Sequence, residues 1–155
     1  MIRSAVISDD LLYRYMLTRC WQPEGRSVMF IGLNPSTADD RQDDPTIHKC
    51  IKFAKRWGYG SLVVTNLFAY RATDPKDLLN TTDPIGTEND AYILKKARQV
   101  DQIVCAWGNM GTLYNRAQEV MSFIPTSSAI RINRTGQPSH PLYLPDTSEL
   151  VAYEN

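Results

Sequence analysis

Four short apolar runs alternate along this chain with segments whose apolar residues recur at helical spacing, and this alternation constrains the fold most strongly. The runs lie at 27–31, 61–65, 102–107 and 129–132. Short continuous apolar runs are typical of parallel strands covered on both faces, and alternation of strands with helices favours a mostly parallel sheet. A chain of 155 residues has the usual size of one domain. We therefore predict a single α/β domain over 1–155, a three-layer αβα sandwich with a mostly parallel four-stranded central sheet.

The helix between the first two runs has the clearest boundaries. Asp44 and Pro45 supply an N-cap followed by proline at the first helical position, and the helical spacing continues to Gly58. Further helices are predicted over 76–79, 87–99 and 113–124. The segment Leu12 to Trp21 is rich in β-forming residues, which predicts an N-terminal edge strand or hairpin arm.

Charge and cysteine content limit the classes of function. Lysine plus arginine (17) equals aspartate plus glutamate (17), so the chain lacks the excess of positive charge of an obviously basic DNA-binding protein. Three scattered cysteines predict reduced thiols and cannot supply the four thiolates of an iron-sulfur cluster. No segment approaches the roughly 20 apolar residues that span a bilayer. We expect a cytoplasmic protein without a cofactor, a bound metal or a membrane partner.

Polar, turn-forming residues follow each of the four predicted strands. Because ligands of open parallel sheets bind beyond the carboxyl ends of the strands, these loops should meet at one edge. Asn34 stands between a glycine-containing turn and Pro35, which would hold its amide rigidly enough to orient a water molecule. His140 lies in a proline-bounded loop, where an imidazole could donate a hydrogen bond to a developing anion or transfer a proton.

The motifs VMFIGLNPS, LVVTNLFAYR, IVCAWG and PSHPLYL follow one another along residues 27–144. Their order resembles that of the uracil-DNA glycosylase superfamily. The whole chain is still more similar to a small bacterial and phage family of unassigned function, through GLNPSTAD, DPTI, WGYG, NLFA and HPLY. The first resemblance implies a glycosylase-like fold and hydrolysis of the N-glycosidic bond of a nucleobase, in DNA or in a nucleoside or nucleotide.

The same resemblance implies roles for particular residues. Asn34 would position water, Asn66 would read the base edge, and His140 would stabilise the departing base. Eight further residues complete the predicted substrate site, namely Gly32, Pro35, Ser36, Asp39, Phe68, Arg71, Trp107 and Ser139. A flipped base also requires an aromatic platform, which Phe68, Tyr70 or Trp107 would supply. The expected partner is a nucleobase, a nucleotide or DNA.

Two other functions remain open from the sequence. Asp39, Asp40, Asp43 and Asp44 form an acidic cluster, and oxygen ligands of this kind would suit a metal-assisted nucleotide phosphohydrolase. A solvated loop that ends in the Asp44 helix cap is the favoured interpretation of that cluster. The third possibility is a binding module that recognises a nucleobase or nucleic acid without catalysis, since a fold by itself does not establish activity.

Overall fold

The computed structural model describes residues 1–154, and its secondary structure alternates as the sequence predicts. The seven strands are β1 Ile2–Ile7, β2 Arg14–Cys20, β3 Ser27–Gly32, β4 Ser61–Asn66, β5 Gln102–Cys105, β6 Ser127–Ala129 and β7 Val151–Tyr153. The α-helices are α1 Pro45–Arg56, α2 Asn89–Ala97 and α3 Arg116–Met121, and 3₁₀ helices cover Pro75–Asn80 and Asn109–Asn115. Within residues 1–154, no helix has the length and apolar character needed to cross a membrane.

The strands form one mixed sheet in the order β1-β2-β4-β3-β5-β6-β7. The four central strands β4, β3, β5 and β6 are mutually parallel, which confirms the predicted parallel core. The prediction of a four-stranded sheet is wrong, because β1, β2 and β7 extend it to seven strands by antiparallel pairing. Of the two possibilities predicted for 12–21, the hairpin arm is confirmed, because β2 pairs antiparallel with β1. The edge position is not, since β2 lies between β1 and β4 and β1 is the edge.

Helices cover both faces of the sheet. Alternate strand residues such as Phe30 and Val64 pack with α1 on one face. Their neighbours, such as Ile31 and Val63, pack with α2 and α3 on the other. The continuous apolar runs in the sequence thus reflect strands that are buried on both faces.

Helix α1 begins where the sequence predicts. The Asp44 carboxylate accepts a hydrogen bond from the backbone N–H of Ile47 at 2.9 Å, and Pro45 occupies the first turn. The helix ends at Arg56, and Gly58 follows with a φ of +88°. This start fixes where the preceding loop, residues 33–44, ends.

Two predicted elements differ in extent from those observed. Instead of a helix over 113–124, a 3₁₀ helix ends near Tyr114 and Asn115, which both have positive φ, and α3 begins at Arg116. The buried guanidinium of Arg116 donates to the Leu67 carbonyl oxygen at 2.7 Å, a tertiary contact that helical periodicity cannot reveal. The fourth strand is Ser127–Ala129 rather than 129–132, so the pairing with β5 ends earlier than its apolar residues indicate.

Candidate functional site

A cleft opens on the α1 face, beyond the carboxyl ends of β3, β4 and β5. The chain leaves β3 towards β4 on one side and leaves β5 towards β6 on the other, so the connections diverge between β3 and β5. Such a switch point is where open α/β sheets bind ligands. The inner part is a cavity of ≈ 110 Å³. Its lining combines apolar side chains with a few polar ones, and the polar or loop residues include Arg14, Gly32, Asn34, Pro35, Ser36, Asp44, Asn66 and His140.

An outer part of the cleft, of ≈ 400 Å³, adjoins the inner cavity and opens to solvent. The two parts share six lining residues, namely Asn34, Ser36, Asp44, Thr46, Pro75 and His140. An apolar cavity of about 150 Å³ admits benzene, so the inner part, which is smaller, holds at most one planar ring. Together the parts reach the range of about 300–1,000 Å³ that ordinary ligand pockets occupy.

Asn66 provides the amide at the floor of the inner cavity. It is 3% exposed, and its Nδ2 has no hydrogen-bond partner within residues 1–154. Its Oδ1 lies over Gly32, where a Cβ would stand 2.8 Å from this oxygen. Buried amides are normally hydrogen-bonded within the protein, so an unpartnered one at a cavity suits a ligand.

A second asparagine, Asn89, holds the backbone that carries Asn66. Its Nδ2 donates to the carbonyl oxygens of Asn66 at 2.9 Å and Leu67 at 3.1 Å. Asn89 is fully buried on the opposite face of the sheet and does not line the cavity. It therefore positions the end of β4 without contributing to the cavity lining.

Asn34 lies at the boundary between the two parts of the cleft. Its Nδ2 donates to the carbonyl oxygens of Ala72 at 2.7 Å and Pro35 at 3.1 Å. These two bonds fix the orientation of the amide and use its donor group. The remaining Oδ1 is an acceptor, which is the group that can orient a water molecule.

His140 lies at the same boundary, at the rim of the cleft. Its Nδ1 accepts a hydrogen bond from the backbone N–H of Leu142 at 3.2 Å. The neighbouring protein lowers the pKa of His140 below its ordinary value of 6.5, because desolvation disfavours the charged imidazole more than the nearby Asp44 carboxylate favours it. The side chain is therefore neutral at pH 7, and Nε2 carries its proton as a donor.

Arg14 and Asp44 also line the inner cavity, although the sequence pattern does not single them out for the ligand site. Arg14 is 2% exposed, and Nη1 donates to the Ala38 carbonyl oxygen at 3.1 Å. Asp44 is identified from sequence only as a helix cap, and its carboxylate does cap α1. Seen from the sequence, Arg14 is one charged residue in a β-forming segment, a pattern that usually indicates a solvent-facing side chain.

Several predicted substrate residues lie away from the cleft. Phe68 and Trp107 are buried in the core on the α2 and α3 face, where Trp107 Nε1 donates to Gln137 Oε1 at 2.8 Å. The Ser139 hydroxyl is hydrogen-bonded to Asn133 within its own loop. Arg71 Nη1 donates to the Leu11 carbonyl oxygen at 3.3 Å, and it lines neither part of the cleft. These positions lend no support to the predicted stacking platform or to a ligand contact by Ser139.

The acidic loop is occupied by structural contacts. Asp39 Oδ1 accepts from the backbone N–H groups of Arg41 and Gln42, both at 2.8 Å. Asp43 pairs with Arg19 at 2.8 Å, and Asp44 caps α1. Nowhere in residues 1–154 do three His, Cys, Asp or Glu side chains gather in a way that could hold a metal ion. The favoured interpretation of this cluster, a loop that ends in a helix cap, agrees with these contacts.

Cys50 is the one thiol that lines the cavity among the described residues. Burial raises the pKa of this thiol far above its ordinary value, the dominant cause being desolvation. The thiol is therefore neutral at pH 7 and contributes apolar surface rather than a nucleophile.

The fold and the cleft define an α/β protein with a candidate ligand site at a sheet switch point. Residues 14–142 match the DUF1643 family, described as proteins of unknown function, and the chain belongs to this family. The matched range contains every residue that lines the inner cavity. No curated protein and no solved structure gives a significant match. The expected family of unassigned function is thereby confirmed, while the resemblance to the uracil-DNA glycosylase superfamily stays a prediction.

Proposed function

We propose that this protein binds a nucleobase in the inner cavity and hydrolyses its N-glycosidic bond, in the manner of a uracil-DNA glycosylase-like enzyme. The unpartnered, buried amide of Asn66 at the floor of a ring-sized cavity is the observation that carries this proposal. An amide offers one donor and one acceptor side by side, which matches the polar edge of a nucleobase.

The division of the cleft supports hydrolysis at a defined bond. The inner cavity is too small for a base together with its sugar, so the sugar would occupy the outer part. The bond between them would then cross the boundary at which Asn34 and His140 both lie. Positioning of this kind is a large source of catalytic rate acceleration.

The free groups at that boundary suit the chemistry. Asn34 Oδ1 would accept a hydrogen bond from water and direct the water oxygen towards the anomeric carbon of the sugar. As the carbon–nitrogen bond breaks, its electron pair leaves with the base, and His140 Nε2–H donates to the negative charge that develops. The water hydroxyl remains on the sugar and the water proton ends on the base.

The balanced charge of the chain favours small substrates. With 17 basic and 17 acidic residues, the protein has little net attraction for a long polyanion. A nucleoside, a nucleotide or a short exposed segment of DNA therefore fits better than an extended duplex.

Base release measured by chromatography tests this function. The substrates are free nucleosides and single- and double-stranded DNA that contains uracil, hypoxanthine or a modified pyrimidine. We expect release by the parent chain and a loss of about 100-fold in Asn34→Ala, the size of effect seen when one preorganised polar group is removed. Asn80→Ala, which changes an exposed asparagine outside the cleft, serves as the matched control and should keep full activity.

Release that is equal in Asn34→Ala and Asn80→Ala would refute the role given to Asn34. If the parent chain releases no base from any substrate, the hydrolysis itself is refuted. Binding of a base without release would then identify a non-catalytic binding module.

A further inference from the structure

Three arginine side chains are almost completely buried in this protein, and one of them differs from the other two. Arg19 pairs with Asp43 at 2.8 Å, and Arg116 pairs with Asp90 at 2.5 Å and also with Glu119. Arg14 has no ion-pair partner within residues 1–154. A buried charge is costly unless it is paired, and the fold pairs the charges of two of these arginines but not that of the third.

The guanidinium of Arg14 is also short of hydrogen bonds. Nη1 donates to the Ala38 carbonyl oxygen, and this is the only hydrogen bond of the group within residues 1–154. Nε is buried and has no partner. Since a guanidinium carries five N–H donors, most of its capacity is unused.

A β-bulge brings Arg14 to the cleft. Val6 of β1 pairs with Met16, but the next residue, Ile7, pairs with Arg14, so β2 has one extra residue at this point. In a regular strand Arg14 and Leu17 would lie on opposite faces, because they are three residues apart. The bulge places Arg14 on the α1 face with Leu17, where it lines the inner cavity. Bulges of this type often redirect a side chain next to a functional site.

Asp44 lies near Arg14 but does not neutralise it by direct contact. Its Oδ1 accepts from the Ile47 backbone N–H, and its Oδ2 accepts from the Ala38 backbone N–H at 3.4 Å. Burial lowers the pKa of Arg14 to about 10, and the Asp44 charge only partly opposes this effect. Arg14 nevertheless stays protonated at pH 7, so the cavity contains a buried positive charge.

We propose that Arg14 is the receptor for negative charge on the ring that occupies the inner cavity, so that the cavity selects a ring anion over its neutral counterpart. The side chain donates through Nε and its free Nη2 to an oxygen edge of the ring, while Asn66 binds the other polar edge. This inference rests on the proposed role of the cavity as a ring-binding site. In hydrolysis, the same contact would stabilise the departing base together with His140.

Calorimetric titration with two rings of similar shape tests this assignment. Uracil is neutral at pH 7, whereas barbiturate has the same carbonyl–NH–carbonyl edge and is an anion. The parent chain should bind barbiturate about tenfold or more tightly than uracil, because hydrogen bonds to charged groups are markedly stronger than those between neutral groups. Arg14→Met should abolish this preference, and Arg14→Lys should reduce it by keeping the charge without the planar fork. The exposed Arg41→Met is the matched control and should behave as the parent.

A stability measurement separates a ligand role from a structural one. Arg14→Met should have a urea unfolding midpoint equal to or above that of the parent, since it removes a desolvated charge without leaving a paired carboxylate behind. Arg19→Met should lower the midpoint, because it leaves Asp43 without its partner.

Equal affinity of the parent for uracil and barbiturate would overturn the inference, and so would a preference that survives in Arg14→Met. A further result would be an Arg14→Met chain that fails to fold while Arg14→Lys keeps the full parental preference for barbiturate. That result would assign Arg14 a structural role in the core and would also overturn the inference. Because these titrations use free rings, their outcome is independent of turnover. A chain that prefers barbiturate but releases no base would retain this inference and refute the proposed hydrolysis.

Discussion

Substitution of Gly32 by alanine should impair the cleft while leaving the fold nearly as stable as the parent. A Cβ at this position would stand 2.8 Å from Asn66 Oδ1, whereas ordinary contact begins at 3.4 Å, so this oxygen must retreat by about 0.6 Å. The amide is the flexible end of a side chain, and it can rotate away from the new methyl group. The substitution thus displaces the group that we propose reads the base.

The magnitudes follow from this displacement. A misplacement of 1 Å can cost about 100-fold in rate, so 0.6 Å should lower kcat/KM for base release on the order of tenfold. Rotation of the amide away from its preferred rotamer costs about 0.5–1.5 kcal/mol. Replacing glycine by alanine within a strand raises the free energy of unfolding by about 0.5–1 kcal/mol. The free energy of unfolding should therefore stay within about 1 kcal/mol of the parent value.

Gly58→Ala is the matched control for this experiment. Gly58 has a φ of +88° and nothing within 4 Å of its Cβ position, so alanine there should lose about 1–2 kcal/mol of stability through backbone strain alone. Base release by Gly58→Ala should match the parent when both are folded. Parental kcat/KM in Gly32→Ala would refute the role given to Asn66. A loss of activity in both variants that only follows the stability they lose in urea unfolding would refute it as well.

Three further predictions follow from the contacts of the site. Since burial lowers the pKa of His140 below 6.5, the folded chain binds fewer protons than the unfolded chain between that lowered pKa and 6.5. The free energy of unfolding should therefore rise with pH across that window, and urea titrations of His140→Gln should show a smaller slope. Protonation at Nδ1 would also break the contact with Leu142, so kcat/KM should fall as the pH drops through the lowered pKa of His140. Asn89→Ala should lose about 1–3 kcal/mol in urea unfolding and also impair base release, because the carbonyl oxygen of Asn66 loses its buried donor. Trp107→Phe should lower the thermal midpoint but leave kcat/KM of the folded enzyme unchanged, since Trp107 lies in the core. A loss of activity without a loss of stability would instead support a stacking role for Trp107.

Much of the fold could be predicted from local sequence. The four parallel strands are visible because both their faces are buried, and α1 is visible through Asp44 and Pro45. The antiparallel strands β1 and β7 were not predictable in the same way. Most of β1 and β7 is exposed or half-buried, so no continuous apolar run distinguishes them from loops.

The candidate site shows a similar division. The rule that ligands bind beyond the carboxyl ends of parallel strands brings together Asn34, Asn66 and His140, and all three line the observed cavity. The place of Arg14 in the cavity lining could not be predicted, because it depends on a bulge that arises from the pairing of β2 with β1. The aromatic residues Phe68 and Trp107 are predicted to stack on a flipped base, but which face of the sheet they occupy depends on packing against α2 and α3.

A ¹⁵N NMR titration that follows the side-chain NH₂ signals of Asn66 shows whether this amide holds a ring in the inner cavity. Free base released from the best substrate, or barbiturate where no substrate is found, is added to the parent chain. We predict that the Asn66 NH₂ signals shift in a saturable manner, while those of the exposed Asn80 stay unchanged. Saturable binding that leaves the Asn66 signals in place would show that Asn66 does not hold the ring, because the ring would then occupy another part of the protein.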